Sequence, residues 1–349
     1  MYNLLIYLFA FIFEFVLCFF ASKTKNKVLL FFSFLLPVLF VGFRYNVGTD
    51  YKNYISTFNV TKKMNFHQLF GYDWEFGGLL ILIIASLLNS ERIMFIIIAI
   101  LNIFPLFKIN KIYDYKYLPL SILTYNCLYL AFCMNGMRQG IAMSFILYST
   151  ILLLNIKKTS SIICFIIAFL FHKSSILFLP YYLLLLFDKS EGKNRFMKQS
   201  MIITLGISLL ILFLLKNILL NIGILKYSSY INKIDTSNIS FGVIISSIPI
   251  LMIIFLSTIQ NKISNSFKPI VVSGLIFYIV GTSAQYLYRI GLYFTYFEIF
   301  LIPYLIENIK DKRLKFIIFF AYIVYLFIYF WRQFYVVGQH EIFPYQFQL

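Results

Sequence analysis

Apolar runs separated by short polar turns fill this chain, and nothing in it constrains the fold more. About thirteen can be marked: 3–21, 28–43, 76–89, 93–107, 117–134, 139–155, 160–171, 175–187, 200–222, 241–259, 269–288, 290–307 and 316–335. A helix needs about 20 apolar residues to cross about 30 Å of hydrocarbon. Apolar residues make up 61% of the chain and charged ones 12%, against about 45–50% and 25% in soluble domains. No soluble core of this size could hide that surface, so a soluble enzyme and a disordered chain are both excluded. The pattern predicts an all-α polytopic membrane bundle of about 11–13 spans, a single membrane domain over 1–349. The first run lacks a basic leader and a small-residue cleavage site, and reads as a retained span.

The charge balance carries topology. Thirty Lys and Arg face 13 Asp and Glu. In a soluble protein that excess would suggest nucleic acid; here it reads as lysines in short loops beside an anionic leaflet, and no nucleic-acid partner is expected. The loops at Lys23–Lys27, Lys157–Lys158, Lys189–Lys198, Lys262–Lys268 and Lys310–Lys315 are the rich ones, and are placed in the cytoplasm. The turns near 135–138, 172–174 and Arg289 then face outward, with the larger segments 44–75 and 223–240. One conflict remains. If 76–89 and 93–107 both cross, Lys108–Lys116 falls outside and the later parity fails, so the 14-residue run 76–89 is expected to be re-entrant or interfacial.

Arginine is scarce, with seven in the chain, and three stand at outward span ends. Arg44-Tyr45-Asn46-Val47-Gly48-Thr49-Asp50-Tyr51 sets an Arg and an Asp on either side of a Gly turn. It reads as an anion-binding Arg beside an acid, or as an interfacial anchor with Asp50 capping a helix over 51–58. Asn135-Gly136-Met137-Arg138-Gln139-Gly140 holds an Arg and no Lys against the charge bias. Arg138 is a phosphate fork or an interfacial turn residue. His172-Lys173-Ser174-Ser175 puts a His beside a cation in a tight turn, as a general base or a surface His. Arg289 lies at the break between two apolar runs, with Glu298 nine residues later. Glu298 and Glu14 read as buried, paired or protonated acids.

Together these residues suit a membrane enzyme acting on a lipid diphosphate: cations hold phosphates at headgroup depth and a base activates a hydroxyl. No Asp-x-Asp pair is present for a divalent metal on a sugar nucleotide, and neither the four Cys nor the three His have ligand spacing. No metal and no cofactor are expected, with Arg supplying the charge stabilisation.

The ordered set GFRYNVGTDYKNY (42–54), WEFG (74–77), NGMRQGIAMS (135–144), FHKSSILFLP (171–180) and YRIGLYF (288–294) resembles the EpsG family, bacterial polysaccharide polymerases similar to Wzy. The resemblance implies a fold related to metal-independent, lipid-donor (GT-C-like) glycosyltransferases. It implies a multi-pass protein of the bacterial plasma membrane that joins repeat units carried on undecaprenyl diphosphate. Donor and acceptor are both lipid-linked oligosaccharides, and flippase and chain-length regulator proteins are further implied partners. By position, Arg138 and Arg289 would hold the donor diphosphate with Arg44 assisting. Asp50 or His172 would take the acceptor proton. Gln139, Tyr45, Tyr51 and Tyr293 would contact sugar or phosphate. A flippase of the same lipid-linked sugars and an O-antigen-type ligase remain the alternatives.

Overall fold

The structure is a computed structural model that describes residues 2–187, 202, 206, 241–281 and 285–347. The loop expected at 223–240 lies outside the described residues. The all-α expectation is borne out: among the described residues there is no strand, only an isolated bridge between Arg44 and Phe347. Six of the described helical segments are long and apolar enough to cross a membrane, and five shorter apolar helices accompany them. The chain divides into two compact units, 1–176 with 319–349, and 177–318.

In the first unit the helices are α1 (Tyr2–Thr24), α2 (Lys27–Gly42), α3 (Tyr51–Thr61), α4 (Phe66–Phe70), α5 (Phe76–Leu87), α6 (Glu91–Ile112), α7 (Leu118–Thr124), α8 (Leu130–Asn135), α9 (Met137–Leu154) and α10 (Lys158–Phe171). A π-helical turn, Tyr125–Tyr129, joins α7 to α8. The Asn26 side chain starts α2 by accepting from the Val28 and Leu29 amides, and Asn65 and Gln68 form a capping box on α4. Polar residues inside the spans turn back onto their own helices: Asn102 donates to the Ile98 carbonyl, Thr124 to Leu120 and Thr150 to Ile146. That satisfies groups that hydrocarbon cannot. Glu14 is buried and accepts from the Asn126 amide at 2.8 Å, beside the π turn. The stretches 118–135 and 137–154 form the core, each 89% buried, whereas α1 is 28% buried. Phe9, Ile12 and Phe20 on α1 remain exposed, an apolar face suited to lipid.

The two ends of this unit differ chemically. At one, Lys25 pairs with Asp114 and Asn155 donates to the Tyr113 hydroxyl at 3.2 Å, gathering the lysine loops. At the other, Arg44 meets the Met134 carbonyl, and Glu75 meets Arg138 and His172. Helix α5 starts at this second end with Glu75. Helix α6 starts there as well, since Arg92 lies over the Phe43 ring at 5.9 Å. The three residues between them reach at most about 10 Å. Thus α5, at 12 residues, does not carry the chain to the lysine end, while α6 does. Lys108–Lys116 accordingly lie at the same end as the Lys23–Lys27 and Lys157–Lys158 loops, and the parity conflict disappears. The cysteines are buried, so single added cysteines can map the arrangement. Leu88→Cys and Val337→Cys are expected to react with an impermeant thiol reagent from one side, and Lys158→Cys only from the other. If Leu88→Cys labels with Lys158→Cys, α5 crosses.

The second unit contains α11 (Leu179–Phe187), α12 (Phe241–Leu256), α13 (Lys262–Val280), α14 (Gln285–Thr295), α15 (Glu298–Glu307) and the start of α16 (Lys312–Phe330). Helices α13 and α14 approach backbone to backbone: a Cβ on Gly274 would lie 2.6 Å from the Thr295 nitrogen, so small residues permit the contact. Phe178, Phe267, Phe294 and Phe297 fill the surrounding core. The remainder of α16 belongs to the first unit, where Tyr322 contacts the Thr124 hydroxyl at 3.1 Å. After the π turn Trp331–Val336, the tail returns to the arginine end.

Candidate functional site

Glu75 is the hub. It precedes α5 at the N-cap position, but its carboxylate makes no cap hydrogen bond. One oxygen instead pairs with Arg138 Nη1. The other lies 3.0 Å from His172 Nδ1 and 3.5 Å from the Lys173 amide. The neighbours of Glu75 make room for this. A Cβ on Gly77 would meet the Phe171 ring at 2.8 Å, and one on Gly78 would meet Arg138 Cδ and Trp74 at 3.0 Å. The WEFGG sequence thus lets α9 and α10 close on the start of α5.

Burial pushes the Glu75 carboxyl up, but the His172 hydrogen bond and the Arg138 charge more than offset this and bring it down to about 2. Glu75 is therefore a carboxylate at neutral pH and accepts only. His172 Nδ1 must carry the proton of that bond, which leaves Nε2 turned to the other side of the ring.

Arg138 is held on three sides. Its guanidinium lies 4.3 Å from the Trp74 ring centroid, pairs with Glu75, and hydrogen-bonds the Tyr54 hydroxyl. The Tyr54 ring packs edge-on against Trp74 at 5.7 Å. Burial raises the Tyr54 hydroxyl above its ordinary range; Arg138 opposes this, and the Asp50 carboxylate adds to it. Asp50 therefore belongs to the same neighbourhood. It occupies the N-cap position of α3 without a capping side-chain bond. The side chains of Arg138 and His172 each keep 25% exposure, enough for a ligand to reach them.

Arg44 sits differently. It is 2% exposed; its guanidinium donates to the Met134 carbonyl and lies 5.2 Å from the Phe95 ring centroid and 5.8 Å from that of Tyr51. The sequence leaves Arg44 as an anion holder or an interfacial anchor; the structure buries it at the start of the turn that leads to Asp50. That turn is tied on both sides. Asn135 Oδ1 accepts from the Thr49 hydroxyl and the Asp50 amide, each at 3.0 Å. Tyr45, Gly48 and Thr49 amides donate to the carbonyls of Gln346, Glu341 and His340 in the tail. Gly48 has φ +101°, and a Cβ there would fall 2.6 Å from Asn135 Oδ1. Gly48→Ala is expected to cost about 1–3 kcal/mol of stability, read as a lower unfolding midpoint in detergent; an unchanged midpoint would show that the turn does not need glycine.

Among the remaining expected residues, Gln139 is buried, Tyr45 is 45% exposed, and Tyr51 is buried and stacked on Phe95. Arg289 and Tyr293 lie on α14 in the second unit, the first exposed and the second fully buried. The sequence alone assigns no role to Glu75, Trp74 or Tyr54. Trp74 and Glu75 stand inside the WEFG motif, and that placement was the available signal. Among the described residues, no three His, Cys, Asp or Glu side chains gather as metal ligands.

Comparison with known proteins adds one match: the EpsG family model covers residues 27–347. No curated protein and no solved structure matches the chain.

Proposed function

The chain belongs to the EpsG family, and on that premise we propose that it polymerises oligosaccharide repeat units carried on undecaprenyl diphosphate, at the outer face of the plasma membrane. The family points to a Wzy-like polysaccharide polymerase with glycosyltransferase-type activity, and the apolar helices to a multi-pass membrane protein. The observation that carries the finer reading is the Arg138–Glu75–His172 cluster: a cation suited to diphosphate and an oriented imidazole share one carboxylate.

In the reaction, an acceptor hydroxyl oxygen bonds to the anomeric carbon of the donor. The bond from that carbon to the diphosphate oxygen breaks, and undecaprenyl diphosphate leaves. His172 Nε2 takes the hydroxyl proton while Glu75 holds Nδ1–H and steadies the imidazolium. Arg138 stabilises charge gathering on the departing diphosphate, and no metal is required. Asp50 and Tyr54 orient the acceptor, and Arg44 holds the turn that leads to them. Arg289 as a phosphate holder and Tyr293 as a sugar or phosphate contact rest on their place in the family motif alone.

The test is a gel assay. Purified protein in nanodiscs receives a fluorescent undecaprenyl-diphosphate repeat unit, with EDTA and no nucleotide sugar. A ladder at repeat-unit spacing is expected. No ladder, with the lipid-linked sugar crossing the bilayer of proteoliposomes instead, would establish a flippase. Transfer of finished polymer to a different acceptor would establish a ligase.

A further inference from the structure

A cleft separate from the Glu75 cluster lies along the other side of α3. Its volume is about 670 Å³, within the range of about 300–1,000 Å³ typical of ligand sites. Helix α3 has two unlike faces. Tyr54, Phe58 and Thr61 are buried, and Tyr54 reaches Arg138. Lys52, Ser56, Asn59 and Lys63 form the opposite stripe at helical spacing and line the cleft. The facing wall consists of Tyr45, Asn46 and Glu91, the first residue of α6.

The lining is mixed: Ile55 and Val60 set apolar surface between polar groups. It offers an amide on each wall, a serine hydroxyl, two ammonium groups, one carboxylate and two tyrosines, of which Tyr45 is half-exposed and Tyr51 buried. Sugar hydroxyls both donate and accept, and an Asn amide answers both needs from one side chain. A tyrosine presents a flat apolar face to the C–H side of a pyranose and a hydroxyl at its rim. The wall is also pre-formed. Asn46 is held at φ +52°, between the Tyr45 and Gly48 amides that the tail carbonyls fix. Such a wall loses little freedom when a ligand enters.

We infer that this cleft is a saccharide subsite that holds the growing polysaccharide strand beside the reaction cluster while the next unit is joined. The inference rests on the polymerase reading. Helix α3 is about 10 Å across, so a strand in the cleft lies one helix diameter from Tyr54 and Arg138. Retention there keeps the strand from leaving between additions, and sets how many units are added per encounter.

The test uses a bacterial strain lacking its own copy of the gene, which supplies the natural repeat unit, with the full-length protein restored on a plasmid. Ser56 and Asn59 are exposed on α3, so Ser56→Trp fills the cleft and Asn59→Ala empties one wall without touching the core. Polymer length and total polymer are read by gel, and membrane protein level by immunoblot. Loss of one hydrogen-bonding side chain weakens retention about fivefold; both variants are expected to shorten the polymer by about that factor while polymer is still made. Fewer chains of unchanged length would place the incoming unit in the cleft and overturn the assignment to the growing strand. Normal length and yield in both variants would overturn the subsite altogether. Glu75→Gln in the same strain separates the two readings. If it leaves polymer intact, the polymerase site itself is wrong; if it abolishes polymer while the cleft variants behave normally, only the subsite is.

Discussion

Replacing Arg138 with alanine is expected to slow repeat-unit joining by about 10²–10³-fold, the cost of losing one charge-stabilising donor in the transition state. Arg138→Lys should recover little of it. The guanidinium is used as a plane: one edge pairs with Glu75, one face lies on Trp74, and a donor reaches Tyr54. Any phosphate must be met by the donors that remain. An ammonium is a compact charge on a flexible stem and cannot divide itself in this way. Initial rates of ladder formation measure the effect, and unfolding midpoints of both variants show whether the fold survives. A lysine variant as fast as the parent would reduce Arg138 to a diffuse positive charge and remove the geometric argument.

The second large effect is at Glu75. Glu75→Gln is expected to lower the rate by about 10²–10⁴-fold, the span of general acid–base contributions. The amide cannot serve both neighbours: Arg138 loses its counter-charge and His172 the acceptor that fixes its tautomer. The same change has a pH signature in stability. The carboxyl lies at about 2 in the folded chain against an ordinary 4.5, so its ionised form favours folding. That contribution is complete above about pH 4.5 and declines as pH falls toward 2. The gap in unfolding midpoint between parent and Glu75→Gln should therefore be widest near neutrality and narrow below pH 4.5. A gap that widens on acidification would mean that Glu75 is not held ionised by Arg138 and His172.

Much of the architecture was legible because membrane chemistry acts locally. Runs of apolar residues report helices, and lysine counts report sides. The short run 76–89 could be singled out because parity failed if it crossed, and the structure starts α5 and α6 at the same end. Arg138 and His172 stood out by type and place: a scarce arginine and a histidine, each at a span end. Glu75 did not, because its partners lie 63 and 97 residues away and no local spacing records such a meeting. An acid before an apolar run looks like any helix N-terminus. Asp50 stands at the start of a helix, as the sequence reading expects, but its side chain makes no cap hydrogen bond. Arg44 shows the converse limit. Its sequence neighbours suggest an open anion site, while the carbonyl of Met134 and the ring of Phe95, both distant in sequence, make it an interior residue.

The knot of hydrogen bonds between residues 45–49 and 340–346 also imposes a calendar on biosynthesis. Glu75, Arg138 and His172 all emerge from the ribosome before residues 177–318 are made, yet the turn that carries Asp50 has only its Asn135 side fastened until residue 346 has been added. A nascent chain paused within the second unit already owns every member of the cluster but lacks the backbone bonds from Tyr45, Gly48 and Thr49 to the tail. Under the proposed function, a partial chain therefore holds the reaction cluster without the tail half of the turn beside it.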